Sequence, residues 1–426
     1  MATVSVNCVL VFAYLIAIYP LFGLNSFLEN ERENNSNQVF SIFDFDATGD
    51  GFNNDYQAFQ KAWKFSCSHS GRYTIVIPDG FSFLLHPIDF AGPCKSKITL
   101  HISGTIIAPE NPSVWESLNP RKWIYFHNVE NLAIEGGGII DGRGSLWWAQ
   151  SCKLNQTAKC HVAPTALTFH KCTKLKLKQI KLINSQQMHI SLTNCAHVKA
   201  SQLLISAPES SPNTDGLHVS SSQHVTITDA NVRTGDDCVS IVGNSSHIEI
   251  RNFSCWFGHG ISIGGIGQSE ALETVRYVDV RGAFLWNTSN GLRVKTWQGG
   301  RGKVAAVKFE SVVMENVAHP IVIEQYYCDS TSKCVNESSN VRVGNISYVG
   351  IRGSSVRAEA VRFACSDGNP CEKLYMEDVE IVALSGVTRS FCYHAHGTSN
   401  GFVFPAPCFS PSLELNVTSN NLLQAQ

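Results

Sequence analysis

The chain has 426 residues, of which 43% are hydrophobic, and a formal net charge of −2 at pH 7. A chain of this length and composition can bury a substantial core, which excludes an intrinsically disordered protein. The near balance of charge excludes a global field that would recruit nucleic acid, anionic lipid or another polyanion. Any acidic ligand must therefore be bound by locally placed Lys and Arg side chains.

An apolar segment, CVLVFAYLIAIYPLFG, extends from Cys8 to Gly23, after which the sequence becomes polar. A segment of this length predicts a cleaved secretion signal over residues 1–25, followed by a polar segment over residues 26–40. An uncleaved membrane anchor is the alternative, because no basic residue precedes the apolar segment. No later segment approaches the ~20 uninterrupted apolar residues that span a bilayer, so we expect a secreted mature protein without a membrane segment.

The cysteines agree with secretion, because one of the fifteen lies in the predicted signal and an even number remains for an oxidising compartment. Sequence leaves the connectivity open, but spacing favours the pairs Cys152/Cys160, Cys238/Cys255, Cys328/Cys334, Cys365/Cys371 and Cys392/Cys408, with Cys172 and Cys195 as an unpaired stack. No CxxC pair occurs and the His residues are scattered, so we predict no metal and no cofactor. Sequons indicate surface positions at Asn34, Asn155, Asn244, Asn252, Asn287, Asn336, Asn345 and Asn416.

The first predicted element of the mature chain is a short helix. In DYQAFQKAWKFSC, which begins at Asp55, the residues Phe59, Ala62 and Trp63 lie at helical spacing. We predict that this helix caps the amino-terminal end of a larger core. From Gly136 onward, GGGIIDGRGSLWWAQSCKLNQTAKC predicts a coil edge followed by a disulfide-pinned loop near a cleft.

Short apolar-alternating triplets then recur at intervals of 23, 27, 22, 22, 31 and 29 residues, beginning at Leu167, Ile190, Leu217, Val239, Ile261, Leu292 and Ile321. Short strand-like runs at such a period, without helical periodicity, predict an all-β, single-domain right-handed parallel β-helix over residues 41–410. A propeller repeat of about 40–45 residues or a leucine-rich repeat with its Leu/Asn consensus fits less well. Residues 411–426 lose the pattern and are predicted to be disordered.

Three ionisable residues recur with the period of this repeat. Asp215, Asp237 and His259 lie 22 residues apart, each two positions before one of the triplets. Residues one coil apart lie on neighbouring strands, ~4.8 Å apart, so the three should form a column with Asp236 beside it. Since burial of unpartnered carboxylates among apolar side chains is very costly, we place Asp215 and Asp237 in the bend before each strand.

The next coil adds two cations to this column. Arg293 and Lys295 alternate with Leu292 and Val294, so both basic side chains point outward. Neighbouring carboxylates repel one another, so at least one pKa rises and the cluster supplies both an acid and a base. Glycoside hydrolysis needs both groups, and the cations suit a sugar that bears a carboxylate. Each motif alone is more often an ordinary turn or strand, but four polar clusters in phase are not explained by turn chemistry.

The sequence resembles the polygalacturonases, because their signature occurs in order as NTDG, GDD, GHG and RVK, at Asn213–Gly216, Gly235–Asp237, Gly258–Gly260 and Arg293–Lys295. The surrounding residues are similar to those of the plant members, and the similarity extends from about Ser41 to Cys408. The resemblance implies inverting hydrolysis of α-1,4 bonds between galacturonic acid units of pectin, without a metal. It further implies a monomer in the cell wall or apoplast whose partner is homogalacturonan.

The resemblance also implies residue roles. Asp236 would be the general acid, Asp215 and Asp237 would activate the attacking water, and His259 would tune the protonation of the acid.

For the substrate, the resemblance implies that Arg293 and Lys295 bind galacturonate carboxylates on either side of the scissile bond. Asn213 would help to order the site, and Tyr327, in preference to Tyr326, would line the sugar cleft.

The sequence departs from the family pattern where Trp256-Phe257 replaces the usual Gly-Pro before GHG, which puts two rings beside the cleft. Carboxylates on adjacent coils would also lie nearer the ~5 Å of retaining enzymes than the ~6.5–9.5 Å of inverting ones.

A pectate lyase is the second enzymatic alternative, disfavoured by the acid column. A catalytically silent pectin-binding wall protein is an alternative from another class. Plant-like motifs favour endo action, and exo action stays open.

Overall fold

The computed structural model describes residues 37–154, 162–329, 334 and 337–411. The predicted signal over residues 1–25, most of the polar segment over residues 26–40 and all of the predicted tail except its first residue lie outside the described residues. So do Cys160 and the sequons at Asn34, Asn155, Asn336 and Asn416. No helix in the described part of the chain has the length and apolarity needed to cross a bilayer.

Strands dominate the described chain. In chain order they are Asn37–Ser41 (β1), Asp50–Asn54 (β2), Gly71–Ile77 (β3), Ser82–Leu84 (β4), Ile88–Ala91 (β5), Ser96–Ile102 (β6), Thr105–Ile107 (β7), Lys122–His127 (β8), Leu132–Glu135 (β9), Ile139–Asp141 (β10), Thr165–His170 (β11), Thr173–Lys178 (β12), Lys181–Ile183 (β13), Ile190–Thr193 (β14), Ala196–Ser201 (β15), Leu204–Ser206 (β16), Leu217–Ser220 (β17), Gln223–Arg233 (β18), Val239–Ile241 (β19), Ser245–Trp256 (β20), Ile261–Ile266 (β21), Leu272–Trp286 (β22), Asn290–Trp297 (β23), Arg301–Val317 (β24), His319–Tyr327 (β25), Asn340–Val349 (β26), Arg352–Ser355 (β27), Glu359–Ala364 (β28), Cys371–Ala383 (β29), Arg389–Tyr393 (β30) and Ala395–Phe404 (β31).

Helices are few in the described part of the chain. The α-helices are Tyr56–Ser68 (α1) and Ser145–Ala149 (α2), and the short 3-10 helices are Ile42–Phe45, Pro112–Trp115 and Gln268–Glu270.

The strands form parallel sheets that wind into a solenoid. One 11-stranded sheet takes β5, β8, β11, β14, β17, β19, β21, β23, β25, β28 and β30, and the other strands form a second sheet. Each coil contributes one strand to the 11-stranded sheet and then passes to the second sheet. This arrangement confirms the predicted right-handed parallel β-helix.

The predicted repeat sets the register of the 11-stranded sheet. Leu217 pairs with Val239, Val239 with Ile261 and Ile261 with Leu292. These four side chains are fully buried and stack along the axis of the solenoid. The alternate residues of the same strands point outward, so they line one face of the sheet as a continuous surface.

The helix α1 is the predicted amino-terminal cap. It buries Phe59, Ala62 and Trp63 against the end of the core, as its spacing indicates. The Trp63 ring lies 4.9 Å from the Phe90 ring, and burial of one such aromatic side chain contributes about 1.5–3 kcal/mol. The strand β1 begins at Asn37, inside the segment predicted to be polar, because backbone pairing with β3 holds it rather than an apolar pattern.

The disulfide bonds follow the predicted spacing in four cases, namely Cys238–Cys255, Cys328–Cys334, Cys365–Cys371 and Cys392–Cys408. Cys172 and Cys195 are free and buried, as predicted. Cys152 is disulfide-bonded. Sequence analysis missed the bond between Cys67 and Cys94, which ties the end of α1 to the loop that follows β5.

Candidate active site

Three carboxylates gather just before the strands of the 11-stranded sheet. Asp215 precedes β17, Asp236 and Asp237 precede β19, and none of the three lies within a strand. The amide of Gly216 donates to the carbonyl of Asp237 at 2.9 Å, and the amide of His259 donates to the carbonyl of Asp236 at 2.9 Å. The backbone therefore holds these residues on successive coils, in the predicted column.

Asp237 lies at the centre of the cluster and is 2% exposed. Its Oδ1 accepts hydrogen bonds from Ser262 Oγ at 2.7 Å and from Arg293 Nη2 at 2.7 Å, and its Oδ2 accepts one from Lys295 Nζ at 3.1 Å. Both cations point outward from β23, as alternation predicts. In this structure they neutralise a buried carboxylate, which is the condition under which a buried charge is tolerated.

Asp236 is paired with His259. Its Oδ1 lies 3.0 Å from His259 Nδ1 and accepts from the Asp237 amide at 2.8 Å, while Lys153 Nζ lies 3.6 Å from Oδ2. Burial acts to raise the pKa of Asp236, but the hydrogen bond and charge of His259, followed by the charge of Lys153, outweigh it. The pKa of Asp236 is therefore held below its ordinary value.

Asp215 has the opposite electrostatic environment. Burial raises the pKa of Asp215 to about 6, nearby His218 opposes the rise, and repulsion from Asp236 and Asp237 adds to it. His218 Nδ1 lies 3.7 Å from Asp215 Oδ2 and 3.0 Å from Ser240 Oγ. The carboxyls of Asp215 and Asp236 therefore differ in pKa, as predicted. In the unliganded site the proton is held by Asp215 and Asp236 is ionised, whereas the implied general-acid role requires a proton on Asp236.

The predicted sugar-binding residues lie at the margins of the cluster. The ring centre of Tyr327 is 5.2 Å from Lys295 Nζ, and Trp297 packs edge-on against it at 5.0 Å. The Tyr326 hydroxyl instead accepts from the Asp367 amide at 3.4 Å, away from the cations. Asn213 is half-buried in the turn before Asp215, with a left-handed φ of 58°.

Four further side chains belong to the site and were missed by sequence analysis: Ser262, His218, Trp297 and Lys153. Ser262 and His218 occupy the same outward register as Arg293, so strand alternation could have identified them. Lys153 could not be found in this way because it lies in the loop after α2. It extends to Asp236 and also lies 4.0 Å from Asp329.

The two rings that replace Gly-Pro pack against protein groups. Phe257 has a left-handed φ of 60°, which is unusual for a bulky residue. Its ring lies 5.2 Å from Trp286, and the Arg233 guanidinium lies over it at 4.8 Å. The Trp256 ring lies 5.5 Å from Trp286. These contacts leave both rings only partly exposed.

Asp236, Asp237 and His259 also have potential metal-binding atoms that lie within 4.8 Å of one another. The chemistry of this set is unfavourable for a divalent cation, because Arg293 and Lys295 already contact both oxygens of Asp237. A cation between them would meet two like charges at close range.

A solenoid surface that combines closely spaced carboxylates with two cations has the groups that acid–base cleavage of a glycosidic bond requires. Residues 67–401 match the family model for glycosyl hydrolases family 28. The chain belongs to this family.

Individual proteins agree with this assignment. The chain is 48% identical over 377 residues to a protein of Arabidopsis thaliana described as a probable polygalacturonase, covering 88% of this chain and 85% of that protein. It is 43% identical over 387 residues to the polygalacturonase QRT2 of Arabidopsis thaliana, covering 89% and 88%. The solved exopolygalacturonase of Thermotoga maritima superimposes with a TM-score of 0.70 at 22% identity, covering 85% of this chain and 92% of that one, which shows the shared fold.

Proposed function

We propose that the protein is a secreted, monomeric polygalacturonase that hydrolyses α-1,4 galacturonosyl bonds of homogalacturonan in the plant cell wall by inverting, endo-acting catalysis. The observation that carries the proposal is the contact of Arg293 and Lys295 with Asp237, across the coil of Ser262 that lies between them. Two cations that can bind a uronate carboxylate, next to carboxylates that can transfer protons, support the proposal. The polygalacturonases among its relatives support the same substrate class.

In the proposed reaction, a galacturonate carboxylate competes with Asp237 for Arg293 and Lys295. Asp237 thereby loses part of its neutralisation and becomes able to activate water together with Asp215. Asp215 and Asp236 interact electrostatically, so the proton held by Asp215 in the free site must reside on Asp236 when substrate is bound. A glycosidic oxygen that accepts a hydrogen bond from protonated Asp236 favours this shift, as does displacement of Lys153.

His259 and Tyr327 have supporting roles in this proposal. His259 holds the carboxyl of Asp236 in one orientation through its 3.0 Å contact. Tyr327 presents a ring beside Lys295, where a sugar can stack while its carboxylate meets the ammonium group. Asn213 is proposed to order the turn that carries Asp215.

The test is a time course of product release from polygalacturonate. Endo action is expected to give mixed oligomers with a fast fall in viscosity, whereas release of monomer alone would show exo action.

Inversion is checked by following the anomer formed first by proton NMR, and release of the retained anomer contradicts it. Addition of a chelator distinguishes a lyase, which would lose activity and would otherwise form an unsaturated product that absorbs in the ultraviolet.

The catalytic assignment is tested with Asp236→Asn, which is expected to reduce kcat by at least about 10²-fold. Asp229→Asn is the matched control, because Asp229 is exposed and bonds only to Asn252 among the described residues. Wild-type protein that binds polygalacturonate without releasing reducing ends over days would instead establish a silent binding protein. The packing of Phe257 and Trp256 beside His259 is the observation that makes this second candidate worth testing.

A further inference from the structure

A second basic surface lies away from the candidate active site, on the other sheet. Lys303 lies only eight positions after Lys295, but the chain turns between them and Lys303 belongs to β24. Lys303 pairs in register with Arg342 of β26, and Arg276 lies on the neighbouring β22. The three side chains are exposed and line a cavity of about 610 Å³. We call this cavity the basic pocket.

The charges of the basic pocket are uncompensated. Among the residues described, no carboxylate forms an ion pair with Lys303, Arg342, Arg276 or Lys373, which all line it, and Glu372 is the single acidic residue of the lining. Like charges directly opposite each other on neighbouring strands destabilise a sheet. A surface that retains Lys303 beside Arg342 therefore indicates an anionic ligand more strongly than a scattered set of lysines would.

An aromatic ladder leads into this pocket. His197, His224, His247 and Tyr277 occupy the same left-handed corner on four successive coils, with φ between 55° and 57°. Their ring centroids are separated by 5.0, 4.7 and 4.8 Å. Each His ring is thus covered by the next ring along the axis of the solenoid.

The ladder stops at Tyr277 because the next corner residue is Ala306. Tyr277 is 50% exposed and lines the basic pocket together with the small Ala306, and the Arg276 guanidinium lies 5.7 Å from the centre of its ring. The following corner residue is Asn345, two strands beyond Tyr277, so the gap between them is roughly 10 Å. A flat ring in van der Waals contact on both sides needs about 7–8 Å, so the gap admits one sugar ring.

We propose that the basic pocket binds a uronate residue of an anionic polysaccharide, outside the catalytic cleft. The sugar ring packs against the exposed ring of Tyr277 beside Ala306, its carboxylate is bound by Lys303 and Arg342, and Asn345 offers an amide to its hydroxyl groups. This inference rests on the proposed function for the identity of the polymer. Such a site retains the enzyme on an anionic wall polymer and raises the local substrate concentration.

The pocket has one competing occupant, because Asn345 belongs to the sequon Asn345-Ile346-Ser347. A glycan on Asn345 would fill the same gap.

The experiment therefore uses full-length protein with Ser347→Ala, which removes the sequon and keeps the Asn345 side chain. Electrophoresis through gels that contain increasing polygalacturonate measures the apparent affinity, and hydrolysis of a short soluble oligogalacturonide measures the catalytic site separately.

Tyr277→Ala and Arg342→Gln are each expected to weaken retention by about three- to tenfold, while kcat/KM on the short oligomer stays within twofold. Lys199→Gln is the matched control, an exposed cation of the same sheet outside the pocket, and should leave retention unchanged. Replacement of the gel polymer by fully methyl-esterified pectin, which lacks free carboxylates, should remove the difference between Arg342→Gln and its parent.

Equal retention of all variants, with hydrolysis intact, overturns the inference and leaves the proposed function standing. Loss of retention that parallels loss of hydrolysis also overturns it, because the catalytic cleft would then be the binding site. Absence of hydrolysis in every protein, including the parent, contradicts the proposed function instead, and Tyr277-dependent retention measured in the same gels would still support the pocket.

Discussion

Two pairs of basic residues differ in their surroundings: Arg293 and Lys295 share the strand β23, and Lys303 of β24 lies opposite Arg342 of β26. At the candidate active site, Arg293 and Lys295 are 14% and 10% exposed at the side chain and share the carboxylate of Asp237. In the basic pocket, Lys303 and Arg342 are exposed and have no acidic partner among the residues described. Both pairs alternate with inward valines.

The difference shows that a buried cation requires a charge partner. A cation of the candidate active site is stable only because a carboxylate two coils away compensates its lost hydration. A cation on the exposed sheet keeps its water and can remain unpaired at little cost until a ligand arrives.

Asp237→Asn should have the largest effect, because it leaves Arg293 and Lys295 buried without a charge partner. We expect a loss of roughly 3–5 kcal/mol in the free energy of unfolding and a fall of about 10²–10⁴ in kcat. Urea denaturation and initial rates on polygalacturonate measure the two quantities. Asp229→Asn serves as control, and a stability loss below about 1 kcal/mol in Asp237→Asn would contradict the central role of the buried pairing.

The pH dependence of stability should reveal the raised pKa of Asp215. Burial raises this pKa from 3.8 to about 6, so the folded protein holds a proton that the unfolded chain releases. The resulting stability is complete below about pH 4 and is lost as pH rises through about 6, a change of about 2–3 kcal/mol. Asp215→Asn should lack this change, so its stability relative to wild type should increase between pH 4 and pH 7. Parallel curves for the two proteins would refute the assignment.

Ser262→Ala should have an intermediate effect. Ser262 Oγ donates to Asp237 at 2.7 Å and accepts from Arg293 Nε at 3.0 Å, so its loss leaves buried groups unsatisfied at a cost of about 1–3 kcal/mol. Ser191→Ala, two coils before β19 in the same outward register, is the matched control. Thermal unfolding of both variants measures the difference, and equal melting temperatures would speak against the network.

Lys303→Gln should have the smallest effect on stability. Removal of one of two opposed cations relieves repulsion, so we expect a gain of about 0–1 kcal/mol in the free energy of unfolding at low salt. The gain should vanish at high ionic strength, since exposed charges are screened over about a Debye length. A loss above about 1 kcal/mol would show that Lys303 has a structural partner and would remove the contrast between the two surfaces.

Much of the architecture could be predicted because a parallel solenoid repeats a local pattern. The triplets at Leu217, Val239 and Ile261 fix the register, and the register brings Asp215, Asp237 and His259 together. The cap helix and the short-range disulfide bonds also follow from local spacing. Cys67–Cys94 did not, since several partners were equally compatible with the spacing of these cysteines.

Strand periodicity is a local property, so the order of residues was enough to predict which side chains share a face. The pairing of charged groups and the location of the retained proton depend instead on how the coils stack. Lys153 reaches Asp236 from a loop that no periodicity describes, and the gap beside Tyr277 exists because the next coil happens to carry Ala306. Electrostatic energies depend on distance and burial across several coils, and those quantities are set only when the chain is wound.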